Sequence, residues 1–402
     1  MSITPPADLA ESNLFKPLQV GSVELKNRLV LAPTTRIRNT KEHVVTDSVA
    51  EFYAERAENN GGLLIFEATT PAPSLGFYNY APFIQTEQQV NAFKKVTEAV
   101  HKKGSSIAIQ LWGLGRTADP KAMKEAGLPL KAPSAIYYNE ATEKAAKEAG
   151  NELQELTIPE IKAYVKEFAE GAKRSVEAGF DIVEIHGAHQ YLVDQFLQSV
   201  SNKRTDEYGG SIENRARFLF EVVDAMIEAV GAEKVAIRLS PYAEVQGGLG
   251  YRSELNPIVT WGYVLSELER RAKEGKRIAY ISVVEPRVNG VDDNPDAANI
   301  DFTWPDLIWK GPIIRAGAYL HSGNIEHVKD TVNRNDRTLI AVGRYFTSNP
   351  DLAHRLKNGL ELTPYERAKF YIPCSNVGYL GYGKAGEDYD HSKDEVVPKA
   401  LA

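Results

Sequence analysis

Eight short runs of β-branched and aliphatic residues recur along the chain. They are Arg28–Pro33, Leu63–Ala68, Ser106–Leu111, Asp181–His186, Val235–Leu239, Ile278–Val283, Pro312–Ala316 and Thr338–Val342. Each is nearly continuous in hydrophobicity, the pattern of parallel strands buried on both faces. Helix-forming stretches separate them. Thr157-Ile158-Pro159-Glu160 opens one: Thr157 suits the cap, Pro159 an early-turn position, and Glu160 stands three residues beyond the cap. Ile161, Val165, Phe168, Ala172 and Val176 then follow at helical spacing. Further helices are predicted from Thr46/Asp47 to about Asn59, from Thr86 to Lys103, over Ile212–Val230 behind Ser211, and over Ile258–Lys273, Gly323–Asn333 and Pro350–Lys357.

Eight βα units in succession predict a (β/α)8 TIM barrel, a single domain over residues 1–402 with its core at about 14–380. An open doubly wound sheet shares the alternation, but eight units and the lack of a glycine fingerprint after the first strand favour the barrel. Two segments exceed a minimal barrel. Residues 118–156, after the third strand, are expected to form a surface excursion or lid, and Glu285–Pro305 forms a second excursion after the sixth. Both leave the strand ends where barrel enzymes build their sites. The tail, 382–402, is expected to be loosely ordered.

The balance of 47 Lys+Arg against 54 Asp+Glu, net −7, argues against a nucleic-acid partner. No run of about 18 apolar residues is available to span a membrane. The first twelve residues lack the apolar core of a signal peptide, so a cytoplasmic location is expected. The lone Cys374 cannot form an internal disulfide, an iron–sulfur cluster or a cysteine-based zinc site.

Gly113-Leu114-Gly115-Arg116-Thr117-Ala118 matches G-x-G-x-x-A, but Asp119-Pro120 interrupts the helix that a dinucleotide fingerprint needs. The segment reads as a loop. His186 and His189 close the fourth strand and admit three readings: a metal pair, a structural histidine, or a neutral hydrogen-bond pair facing the barrel mouth. No third ligand stands nearby, which favours the neutral pair. Two imidazoles can donate to one carbonyl oxygen, and Tyr191 follows with a proton of its own. Thr35, Gln110, Trp112, Arg238, Arg315, Gly317, Gly343 and Arg344 lie at other strand ends and converge on the same face. Glycines after strands seven and eight suit a phosphate site of backbone N–H groups.

These residues fall within longer signatures. They are Ala32-Pro33-Thr34-Thr35-Arg36, Gln110-Leu111-Trp112, His186-Gly187-Ala188-His189-Gln190-Tyr191-Leu192, the run Ser201–Arg215, Arg238-Leu239-Ser240-Pro241, Arg315-Ala316-Gly317 and Gly343-Arg344-Tyr345-Phe346. With these signatures the chain resembles the old yellow enzyme family of FMN-dependent ene-reductases, in its yeast and fungal branch. The resemblance runs from about Leu14 to Tyr379. It implies noncovalent FMN, with Pro33, Thr35, Ala68, Gln110 and Arg238 at the flavin ring and Gly317, Ala318, Gly343 and Arg344 at the phosphate. It further implies that His186 and His189 grip the substrate carbonyl, that Tyr191 donates the proton, and that Tyr78, Trp112 and Tyr371 line the substrate side.

The reaction so implied is reduction of the C=C bond of an α,β-unsaturated carbonyl or nitroalkene by NADPH or NADH. It would run by ping-pong hydride transfer from flavin N5, in a monomer or homodimer. A pathway-specific flavin reductase or isomerase on the same fold, and a non-catalytic ligand-binding barrel, are the alternatives. Ala318 stands where relatives often have Asn, and the loop Asn289–Asp296 lacks an aromatic residue found in some relatives. Both departures bear on substrate preference rather than on the flavin.

Overall fold

The computed structural model describes residues 4–5, 7–58, 60–289, 292–294, 300–321 and 325–401. Eight strands close into a parallel barrel in chain order. They are β1 (Leu29–Leu31), β2 (Leu63–Thr69), β3 (Ser106–Leu111), β4 (Ile182–Gly187), β5 (Val235–Leu239), β6 (Tyr280–Val284), β7 (Ile313–Ala316) and β8 (Thr338–Val342). β8 pairs with β1 and shuts the ring, which leaves no barrel edge unpaired. The (β/α)8 barrel predicted from the sequence is therefore the fold.

The strand period of two sorts each run into an inner and an outer face. On β2, Leu63 and Ile65 join the inner cluster, while Leu64 and Phe66 join the outer cluster under the helices. A hairpin of Leu18–Val20 and Val23–Leu25 closes the barrel floor, with Val20 and Leu25 packed among the inner side chains. At the other end Ala32, Ala316 and Ala341 belong both to the inner cluster and to the wall of a cavity. Small side chains at that level leave room above the packed interior.

The helix at Ile158–Glu177 carries the capping box read from the sequence, with Thr157 accepting from the Glu160 N–H. The helix expected to reach Asn59 covers Asp47–Ala57; Asn59 lies outside the described residues. The one expected over Gly323–Asn333 covers Glu326–Val332, and Gly323 also lies outside them. The loop Asn289–Asp296 is described only in part: Val288–Asn289 pairs antiparallel with Asp292–Asp293.

The 118–156 excursion folds as its own small layer. Helices Pro120–Glu125 and Glu140–Glu148 flank a parallel pairing of Lys131–Ala132 with Gln154–Glu155. Its Met123, Leu130 and Leu153 pack in one cluster with Phe77 and Trp112 beside the barrel mouth.

The tail corrects an expectation. Far from being loosely ordered, it runs back along the barrel. The Asp47 N–H donates to Lys399 O, the Leu401 N–H donates to Val45 O, and Ala400 bridges Thr46 antiparallel. Backbone groups ahead of the Asp47–Ala57 helix would otherwise lack partners, and the tail supplies them. Among the described residues, no helix is long and apolar enough to cross a membrane.

One close approach fixes how the Ile158–Glu177 helix seats: a Cβ at Gly171 would lie 2.5 Å from the Pro71 Cβ, just past β2. Gly171→Ala is expected to lower stability by about 1–3 kcal/mol through overpacking. Denaturant titration checks this, and an unchanged midpoint would contradict the close seating.

Candidate functional site

The cavity above the inner cluster has a volume of about 710 Å³. All but two of the site residues expected from the sequence line it: Pro33 and Thr35 after β1, Tyr78, Gln110 on β3 and Trp112 just after it, His186, His189 and Tyr191 from β4, Arg238 on β5, Gly317 and Ala318 after β7, Gly343 and Arg344 after β8, and Tyr371. Arg315 does not line it and is buried against Glu285 and Asp306 instead. Ala68 does not line it. The β2–β3 register shifts between Phe66 and Thr69, and Ala68 is buried instead in the cluster with Phe77 and Trp112.

The turn after β4 holds the reactive side chains. His186 is the penultimate residue of the strand, and its ring lies 5.8 Å from that of His189 and 4.8 Å from that of Tyr191, centroid to centroid. His189 and Gln190 both adopt left-handed backbone, with φ of 56° and 59°. That conformation is costly for residues with a Cβ and persists only where neighbours enforce it. Here the His189 N–H donates to Ser240 Oγ at 2.7 Å and the Gln190 N–H donates to Asp194 Oδ2 at 2.8 Å. The Trp112 ring lies 5.0 Å from Tyr191 and is fixed by donation from its Nε1 to Thr70 Oγ1.

Burial sets the ionisation of these groups. Desolvation, reinforced by His189 and Arg238, holds the His186 imidazolium far below its ordinary pKa. His189 is pushed down to about 3 by desolvation and then by the Arg238 charge. Both rings are therefore neutral at physiological pH, each with one N–H to give and no net charge. His186 Nδ1 has no hydrogen-bond partner among the described residues. Tyr191 is raised to about 12, mainly by desolvation, so its phenol keeps its proton. The hydrogen bonds of Tyr191 with Gln246 and Tyr78 work in the opposite direction.

Several contributors were not named from the sequence. Glu184 points inward from β4, fully buried, and accepts from Gln110 Nε2 at 2.6 Å. The Gln110 carboxamide turns its NH2 towards Glu184 and its oxygen away. A charge inside the apolar run Ile182–Ile185 was the available signal. Gln246, whose Nε2 donates to His189 O at 2.8 Å, sits in a loop without pattern. Phe370, likewise unnamed, and the expected Tyr371 reach the cavity because two buried arginines anchor their segment. Arg36 donates to the carbonyls of Phe370 and Gly378, and Arg38 to those of Lys369 and Ser375.

The chain matches the NADH:flavin oxidoreductase / NADH oxidase family over residues 13–363. A probable NADPH dehydrogenase of Candida albicans is 45% identical over 410 residues, spanning 100% of this chain and 96% of that protein. Enoate reductase 1 of Kluyveromyces lactis is 40% identical over 386 residues, spanning 94% and 95%. The crystal structure of Old Yellow Enzyme from Pichia sp. AKU4542 superimposes with a TM-score of 0.93 at 56% identity, covering 98% of this chain and 100% of that one. The chain belongs to the NADH:flavin oxidoreductase / NADH oxidase family. It is an FMN-dependent NAD(P)H oxidoreductase of the Old Yellow Enzyme type.

The cavity's own features fit FMN. Gly317 stands at φ 133°, closed to L side chains, and a Cβ at Gly343 would meet Thr34 Cγ2 at 2.9 Å. Two such turns let backbone approach a phosphate, with Arg344 alongside. Arg238 Nε is buried without a hydrogen-bond partner among the described residues, and Gln110 lines the same cavity with its NH2 given to Glu184. A cationic donor and a carboxamide acceptor in one cavity wall suit an imide edge, which the flavin pyrimidine presents. Arg238→Ala is expected to weaken FMN retention by about tenfold or more, the loss of one charge-assisted hydrogen bond. Flavin content after dialysis checks it, and full retention would remove Arg238 from the flavin site.

Proposed function

We propose that the protein reduces the C=C bond of α,β-unsaturated carbonyl compounds, and of nitroalkenes, with NAD(P)H in ping-pong turnover. The observation that carries this reading is the β4 turn: two neutral imidazoles and one protonated phenol, with ring centroids within 6 Å of His186, share one cavity wall. Bound FMN supplies a two-electron carrier that takes electrons from the nicotinamide and delivers them to the alkene. Pro33, Thr35, Gln110 and Arg238 would hold its ring, and Gly317, Ala318, Gly343 and Arg344 its phosphate.

His186 and His189 bind the substrate oxygen by donating one N–H each. Negative charge grows on that oxygen as the β-carbon is reduced, so donors placed in advance favour the transition state over the ground state. Neutral rings do this without transferring their protons. Tyr191 then gives its proton to the α-carbon. A phenol raised to about 12 is a weak acid in water, but an enolate carbon is basic enough to take its proton. Trp112, Tyr78 and Tyr371 shape the wall that keeps the alkene against these groups and keeps water out.

Tyr191→Phe keeps the ring and deletes only the proton. Stopped-flow traces are expected to show flavin reduction by NADPH at a near-normal rate. Reoxidation by a cyclic enone should slow by about 10²-fold or more. Reoxidation by a nitroalkene should slow much less, because a nitronate is stable enough to be protonated in water. Equal enone rates in wild type and variant would assign the proton to another donor.

A further inference from the structure

The G-x-G-x-x-A segment takes no part in the chemistry described so far, yet it lies under the β4 turn. It forms a 3₁₀ turn at Gly115–Thr117. Gly115 has φ 56°, and a Cβ there would fall 2.2 Å from Gln195 Oε1, so only glycine lets that carboxamide approach. Gln195 accepts from the Arg116 N–H at 3.2 Å and donates from Nε2 to Leu114 O at 2.9 Å and to Gln190 O at 2.7 Å.

The Arg116 side chain reaches further. It is 3% exposed, and its guanidinium joins three separate stretches of chain. Nη2 donates to Gln190 Oε1 at 2.6 Å and to Gln246 O at 3.1 Å, and Nη1 donates to Ile136 O at 3.3 Å in the 118–156 excursion. Gln190 and Gln246 are both left-handed, with φ of 59° and 52°. Gln246 in turn donates to His189 O and is hydrogen-bonded to the Tyr191 hydroxyl. One guanidinium therefore holds two strained residues, and those two hold His189 and Tyr191. A planar fork with fixed donor directions suits this task, and a lysine ammonium cannot reach all three acceptors in that geometry.

We propose that Arg116 is a positioning residue for the alkene-reducing half of the cycle, fixing the His189–Gln190 turn so that His189 and Tyr191 face the cavity together. The inference rests on the roles proposed above for those two residues.

The test uses FMN-loaded enzyme carrying Arg116→Gln or, as the second variant, Arg116→Lys. Flavin reduced with dithionite and mixed anaerobically with 2-cyclohexenone should reoxidise about tenfold or more slowly in both variants. FMN should remain at one per chain. A para-substituted phenol, whose phenolate resembles an enolate, should bind the oxidised variants correspondingly more weakly, read from its long-wavelength band with the flavin.

Combining Arg116→Gln with Tyr191→Phe should slow reoxidation by less than the product of the two single effects, because the two changes share the Tyr191 function while Arg116→Gln also disturbs His189. Multiplicative slowing, unchanged phenol binding with unchanged reoxidation, or FMN loss in both variants would overturn the proposal. The last would make Arg116 a residue of the fold. If Tyr191→Phe alone leaves reoxidation unchanged, the reading of Tyr191 fails instead, and the phenol titration decides for Arg116 through His189.

Discussion

Removal of water from the barrel mouth is the constraint on which the site depends. Closure of eight strands puts the ends of β3, β4 and β5 side by side, and polar groups there lose solvent on every side but one. Desolvation heads the causes that hold both imidazoles neutral, raise the Tyr191 phenol to about 12 and raise the Glu184 carboxyl to about 7. Among the described residues, no Asp or Glu lines the cavity, so nothing there draws a proton onto His186 or His189. Arg238 pushes the same way, since a fixed cation disfavours a second and third.

A stiff frame and strained connections divide the labour. The strands carry Gln110, His186 and Arg238 on regular backbone, where register places Gln110 against Glu184 and His186 against Arg238. The turns carry His189, Gln190, Gln246 and Ala318 in left-handed conformations. Such residues hold only where packing and hydrogen bonds over-determine them. Ser240, Asp194, Gln195 and Arg116 supply those bonds beneath the β4 turn. Arg36 and Arg38 do the same for the segment bearing Phe370 and Tyr371.

The frame was legible in the sequence because strands buried on both faces leave an unbroken apolar signature, and because Thr157 and Glu160 write a helix start within four residues. The site was legible through side chains at strand ends and through longer signatures around them. What stayed hidden depends on contacts distant in the chain. The order of the tail comes from pairing Ala400 with Thr46, which no local pattern announces. Ala68 follows Leu64 and Phe66 at the strand period and packs with Phe77 and Trp112 rather than on the cavity wall. Glu184 gains its meaning only from the neighbour that β3 supplies, and Arg116 from three acceptors drawn from three segments.

The central claim is that the two imidazoles act as neutral donors. Nitrogen-15 NMR of the ring nitrogens of His186 and His189 in the FMN-loaded protein, followed from about pH 8 down to about pH 5, tests it most directly. Because the folded-state pKa values lie below the ordinary one, the account predicts one protonated and one bare nitrogen on each ring across the whole range. A shift of either ring to the doubly protonated form with a midpoint near about 6.5 would contradict it.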